Sequence, residues 1–169
     1  GTPAYVAQFH PDAKVVSVVN KPMFNAAHAR NLGAAQAEGE FLIFLDADVV
    51  IAEHFVTYIN HRINNKSFAL FGPPAQNSLR GSCVVSRREF ESIGGYDELL
   101  GGYDGEDLDL YMRLKFVGNK RVMLEPSIVL AVIEQIAEER ERFRAPDIKK
   151  QFLRGQLYIS AKEMVMSVQ

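Results

Sequence analysis

Apolar positions along the chain fall into two periods, and the alternation between them predicts a layered α/β fold. The clearest run is Phe41-Leu42-Ile43-Phe44-Leu45. Five apolar residues in succession predict a strand buried on both faces. The β-branched run Val15-Val16-Ser17-Val18-Val19 predicts an earlier strand, broken by Asn20-Lys21-Pro22. Ser67-Phe68-Ala69-Leu70-Phe71 predicts another, ended by Gly72-Pro73-Pro74, and Gly81 to Val85 a further one. Helical spacing fills the gaps. Ala26 to Ala37 is an Ala-rich helix with Asn25 as its cap and Gly39 as its stop. Glu53 to Asn64 is a second, whose Phe55, Ile59 and Ile63 share one face. Ser86-Arg87-Arg88-Glu89 has capping-box spacing and opens a short helix that stops at Gly94-Gly95. Strands alternating with helices imply a mostly parallel, layered α/β sheet.

The tail from Ile133 is helical and charged, divided by Pro146-Asp147. Its Ile148, Phe152 and Ile159, with Leu153 and Leu157, form an apolar stripe expected to pack on the domain. The chain thus divides into an α/β domain over 1–132 and a C-terminal helical extension over 133–169.

Composition narrows the class. The 169 residues suffice for one domain with a sizeable core. A net charge of −2 with no Lys/Arg block gives no reason to expect nucleic acid as a partner. The single cysteine, Cys83, rules out an intramolecular disulfide and lies in an apolar run, which reads as core rather than nucleophile. No apolar segment is long enough to span a membrane and no signal peptide opens the chain, which fits a cytoplasmic location. The basic residues of the tail are too few for a strong signal of peripheral membrane contact.

Two stretches concentrate the chemistry. The Phe41 strand ends in Asp46-Ala47-Asp48, and the carboxyl end of a central strand is where ligands bind in α/β sheets. Two acids there can hold a divalent cation, which can hold a phosphate; otherwise they are solvated turn residues. Gly101-Gly102-Tyr103-Asp104-Gly105 is a pliant loop, and Glu106-Asp107-Leu108-Asp109 then opens a helix. Helical spacing aligns Asp107 with Leu110, Tyr111 and Leu114, while Glu106 and Asp109 face Arg113, the latter as an exposed i,i+4 pair. Simple capping would account for acids at a helix start. An acid on the apolar side suits a general base. Arg30, on a helix of small residues, either reaches an anionic ligand or is solvated.

Taken in order, Asn25 through Asp48, Gly81-Ser82-Cys83-Val84-Val85, Gly94-Gly95-Tyr96-Asp97-Glu98 and Gly105-Glu106-Asp107 resemble a nucleotide-sugar glycosyltransferase. The likeness runs from Val15 to Val122, to family 2 enzymes of the GT-A fold and to the related galactosyltransferase C-terminal domain. The resemblance implies transfer of a sugar from a nucleotide-diphosphate donor to a glycan or other hydroxyl acceptor, inverting and metal-dependent. Asp46 would contact the ribose or the metal, and Asp48 would bind Mn²⁺ or Mg²⁺ bridging the diphosphate. Arg30 would contact the nucleotide, Tyr103 would stack on the acceptor sugar, Glu106 would position the acceptor, and Asp107 would take its proton. A hard cation on carboxylates suits a diphosphate leaving group.

Three departures from the family pattern stand out. Little chain precedes Phe41, so the first strand–helix–strand unit is expected to be missing, leaving a sheet edge open to self-association. The region from Ile128 to Ala137 lacks the metal-binding His of relatives, and Glu134 is the nearest substitute. Asp104 replaces a common glycine. Two other classes fit parts of the pattern. Leu45 to Val50 also resembles the aspartyl-nucleophile loop of haloacid-dehalogenase-like phosphatases. A sugar-nucleotide-binding or oligomerisation fragment without turnover is the non-enzyme alternative.

Overall fold

A computed structural model describes residues 2–18, 24–72, 79, 81–102, 105–133 and 147–168. Its main sheet has four strands, β1 (Phe41–Phe44), β3 (Ser67–Leu70), β4 (Cys83–Ser86) and β5 (Lys120–Met123), ordered β1-β4-β3-β5. β4 runs antiparallel to both neighbours, and β3 pairs parallel with β5. Three strands therefore point one way and β4 alone is reversed, so the α/β sheet is mixed in its pairing rather than mostly parallel. A parallel return needs a crossover of a dozen or more residues, and the link from β3 to β4 is at that limit. The reversal brings the start of β4 beside the carboxyl end of β1. A second, two-stranded sheet pairs β2 (Val49–Ile51) with β6 (Val129–Val132), antiparallel.

The period-2 alternation of the strands divides the core. Leu42, Phe44, Phe68, Cys83 and Val85 face one cluster, with Ala27 and Ala34 of α2 (Ala26–Gln36), Phe90 of α4 (Arg87–Ser92), Tyr96, and Leu110 and Leu114 of α5 (Glu106–Phe116). Ala69, Phe71 and Val84 face the other, with Phe55, Ile59 and Ile63 at the face of α3 (Phe55–Arg62). The four-residue spacing on α3 is therefore the buried stripe expected of it. Tyr96 packs edge-on against Phe44 at 5.1 Å between ring centroids, and burying such rings stabilises by about 1.5–3 kcal/mol each.

Several expectations change in the folded chain. Among the described residues β1 is an edge strand with alternating burial, and Ile43 and Leu45 are more than a third exposed. A strand is buried on both faces only when other elements cover both, and here only the Leu42/Phe44 face is fully covered. Val15, Val16 and Val18 are exposed and form no strand, since nothing among the described residues pairs with them. Helix α1 (Thr2–Phe9) buries none of its residues. The Ser86 box is half formed: Ser86 Oγ accepts from Glu89 N–H at 3.2 Å, but the Glu89 carboxylate is held by Lys66 Nζ and Asn119 Nδ2, each at 2.8 Å.

The tail contributes α6 (Ile148–Ser167). Phe152, Leu153 and Leu157 of its expected packing stripe are exposed. The face turned inward instead carries Ile148, Gln151, Gly155, Ile159, Lys162 and Met166. Ile148 and Ile159 of the expected stripe thus do turn inward, and Lys162 adds charged contacts to the domain. Among the described residues, no helix is long and apolar enough to cross a membrane.

Candidate functional site

α2 supplies the frame of the site. Its N-cap Asn25 accepts from His28 N–H at 2.9 Å through the side-chain oxygen and donates from Nδ2 to Glu98 O at 3.0 Å. His28 Nδ1 lies 2.7 Å from Glu98 Oε2. Asn31 donates to Tyr96 O and accepts from Tyr96 N–H, both at 2.9 Å. These three residues, spaced three apart, occupy one helix face and grip the turn that follows Gly94-Gly95. That regular polar spacing on an Ala-rich helix was the available signal for His28, which sequence reasoning passed over; Asn31 stood out there, with Arg30, only as a polar group on a helix of small residues.

Arg30 reaches the chemistry. Its Nη1 donates to Glu106 Oε1 at 2.9 Å and its Nη2 to Asp46 Oδ1 at 3.1 Å, and its guanidinium lies 5.3 Å from the Tyr96 ring centroid. One cation therefore joins the end of β1 to the first residue of α5, which brings the two acidic stretches together. Asp46 is held further by Ser82, whose Oγ accepts from Asp46 N–H at 3.0 Å and donates to Asp46 Oδ2 at 3.2 Å. Gly81 beside it has a steric role: an added Cβ would sit 2.6 Å from Arg30 Nη2 and 2.9 Å from both Asp46 carboxylate oxygens. A larger residue here would have to displace the Arg30 guanidinium or the Asp46 carboxylate.

Glu106 pairs with Arg30 rather than facing Arg113, because the start of α5 points toward α2. Burial and the charge of Asp107 push the Glu106 carboxyl above the ordinary glutamate range, and Arg30 offsets this only in part. Asp107 is half-buried beside the fully buried Leu110 and Leu114, and its Oδ1 accepts from Leu108 N–H at 2.8 Å. Asp109 pairs with Arg113 as expected, Nε to Oδ2 at 2.7 Å, but the pair is not exposed: Asp109 is wholly buried under α6. Burial pushes the Cys83 thiol up to about 11, consistent with a core residue.

For a divalent cation the donor set is hard oxygen, as Mn²⁺ or Mg²⁺ requires. Asp48 is half-buried two residues after Asp46, and its carboxylate is a hard oxygen donor of the kind such an ion takes. Ile133 N–H donates to Asp48 O at 2.7 Å, so the end of β6 lies against this turn. Glu134 follows directly but, like Tyr103 and Asp104, lies outside the described residues. No three-residue metal-holding group of His, Cys, Asp and Glu occurs among the described residues.

Comparison with known proteins bears on this arrangement. The family model described as Glycosyl transferase family 2 matches residues 1–111. The chain is 26% identical over 145 residues to beta-1,4-galactosyltransferase 1 of Bos taurus, covering 79% of this chain and 35% of that protein. The Homo sapiens protein of the same name is 24% identical over 142 residues, with the same coverage. This chain thus spans about a third of the length of these relatives. Among solved structures, a mannosyltransferase from Pyrobaculum calidifontis in complex with GDP-Man and Mn²⁺ superposes with a TM-score of 0.61 at 16% identity, over 98% of this chain and 59% of that one. The catalytic domain of Drosophila beta1,4galactosyltransferase 7 in complex with xylobiose gives 0.55 at 15% identity, over 86% and 71%. These likenesses establish the GT-A type of α/β fold.

Proposed function

Because the chain belongs to glycosyl transferase family 2, we propose that it carries the donor and acceptor sites of a transferase that moves a sugar from a nucleotide diphosphate to a hydroxyl acceptor. The Arg30 bridge is the observation that supports this reading. It brings the carboxylates at the end of β1 and those at the start of α5 together, as a reaction joining a diphosphate donor to an acceptor requires. The family match and fold leave the phosphatase alternative without support.

In this reading Asp48, with Asp46 beside it, would hold Mn²⁺ or Mg²⁺, and Glu134 is the further candidate ligand. A divalent ion there supplies charge neutralisation for the departing diphosphate. Asp46, clamped by Ser82 and Arg30, presents a fixed carboxylate to the nucleotide side. Arg30 lies close enough to follow an anionic donor while keeping Glu106 oriented. Glu106 positions the acceptor hydroxyl, and Asp107 takes its proton as the bond from sugar to phosphate breaks, in a single inverting displacement. Tyr103 stacks on the acceptor sugar. The polar residues of α2 hold the turn at Asp97-Glu98 rigid, which keeps the acceptor end in register with the donor end.

The test is nucleoside-diphosphate binding by calorimetry, with and without Mn²⁺. Asp48→Asn removes a ligand charge at constant size, so Mn²⁺-dependent binding should weaken by at least tenfold. Binding that needs no metal and survives the substitution unaltered would remove Asp48 from the site.

A further inference from the structure

Helix α6 is joined to the turn after α4 and to α5 by one ammonium group. Lys162 Nζ donates to Asp97 Oδ2 and to Asp109 Oδ1, both at 2.7 Å. Asp109 is wholly buried, and its other oxygen accepts from Arg113, whose Nη1 donates to Ile93 O at 2.8 Å. Asp97 accepts in addition from Tyr158 Oη at 2.9 Å and from Leu99 N–H at 3.0 Å. Two cations and two carboxylates thus balance across three parts of the chain: the turn after α4, the first turns of α5, and α6.

The contacts around this group are as specific as its charges. α6 lies against Gly102 and Gly105, just before α5. An added Cβ on Gly102, whose φ is +82°, would lie 2.8 Å from Gln151 Oε1, and one on Gly105 would lie 3.4 Å from Ile159 Cδ1. The inward face of α6 therefore fits these two glycines, with Gln151, Gly155 and Lys162 set among its apolar residues.

We propose that Lys162 is a positioning residue of the transferase, setting the rotation of α5 so that Glu106 and Asp107 face the acceptor. Asp109 stands two residues after Asp107 on a rigid helix, so holding Asp109 fixes the direction of Asp107. Catalytic groups displaced by about 1 Å can lose roughly 10²-fold in rate, so an anchor at this spot acts on the chemistry without touching substrate. This inference rests on the transferase reading for its consequence and on the geometry for the anchor, and the two are tested separately.

Lys162→Met alone would leave Asp97 and Asp109 without a shared cation and is expected to fold poorly. The informative protein is the charge-balanced double variant Lys162→Met with Asp97→Asn, in which Asp109 keeps Arg113. Hydrogen exchange reads the anchor whether or not sugar is transferred. Exchange over residues 105–110 should rise at least tenfold while β1 and β4 stay protected. In transfer assays the double variant should lose roughly 10–10²-fold in kcat or acceptor KM and keep Mn²⁺-dependent nucleotide affinity, and Lys162→Arg should recover most of the loss. Unchanged exchange over 105–110, or a loss that falls on nucleotide affinity instead, would overturn the proposal. Absence of metal-dependent nucleotide binding in the parent protein would instead overturn the transferase reading, and the exchange result would still decide the anchor.

Discussion

Asp107 and Asp109 are two residues apart and predict opposite phenotypes. Asp107 is half-buried, whereas Asp109 is wholly buried with Arg113 and Lys162 as partners. Asp107→Asn keeps size and much of the capping but cannot accept a proton. Transfer should fall roughly 10²–10⁴-fold while nucleotide affinity stays near that of the parent, in single-turnover rates set against calorimetry. Asp109→Asn leaves the buried Arg113 and the half-buried Lys162 short of a charge and should destabilise by about 3 kcal/mol in urea unfolding. A variant at Asp107 that transfers sugar within a few-fold of the parent would reduce that residue to a helix cap. The acids themselves were legible in the sequence as runs at element ends. Their depth was not, because helical spacing sets only which residues share a side of α5, and the burial of Asp109 depends on a helix 53 positions away in the chain. Arg30 and Ser82 illustrate the same limit: their partners lie 76 and 36 positions away, and no local pattern reports such pairings.

Elements were read well where their own periodicity decides them. Asn25 caps α2, and Phe55, Ile59 and Ile63 bury one face of α3, since both features are local. β1 and part of the α6 stripe were misjudged for one shared reason: which face is covered depends on neighbours the pattern does not contain. For α6 the decisive neighbours are Asp97 and Asp109, and their pairing with Lys162 carries a pH signature. Burial works against the Asp97 carboxylate, but hydrogen bonds from Lys162, Leu99 N–H and Tyr158 outweigh it and hold its pKa below the usual range. Its stabilisation is present above the unfolded value of about 3.9 and is lost as pH falls through the folded one. Lys162 is likewise disfavoured by burial, yet Asp109 and Asp97 raise it above the usual lysine range. Its share is complete below about pH 10.4 and is lost as pH climbs through the folded value. The difference in melting temperature between the parent and Lys162→Met with Asp97→Asn should therefore be flat between about pH 5 and 9. It should shrink below about pH 4. A difference that grows on acidification would contradict the assigned partners.

At the scale of the whole molecule, the outer edge of β1 stands out. No strand pairs with it among the described residues, and Arg30, Gly33 and Ala37 of the α2 side line a groove of about 340 Å³ along Phe41 to Leu45. An open strand edge with exposed apolar residues such as Ile43 and Leu45 can pair with another chain, and the prediction is that a second copy takes that place. Sedimentation velocity should show mass rising with concentration, and Ile43→Lys should return the protein to monomer, since an edge lysine blocks strand pairing. A concentration-independent monomer would dismiss this mode of association. The sheet's interior has a different consequence. Cys83, the single thiol of the chain, is wholly shielded between β1 and β3 and under α5. In the closed state a disulfide reagent finds neither access nor appreciable thiolate. Labelling must wait for α5 to lift from the sheet, and where reclosing outruns labelling the rate measures how rarely that happens. The protein thus carries a chemical stopwatch directly beneath α5, started each time that helix lets go of the sheet.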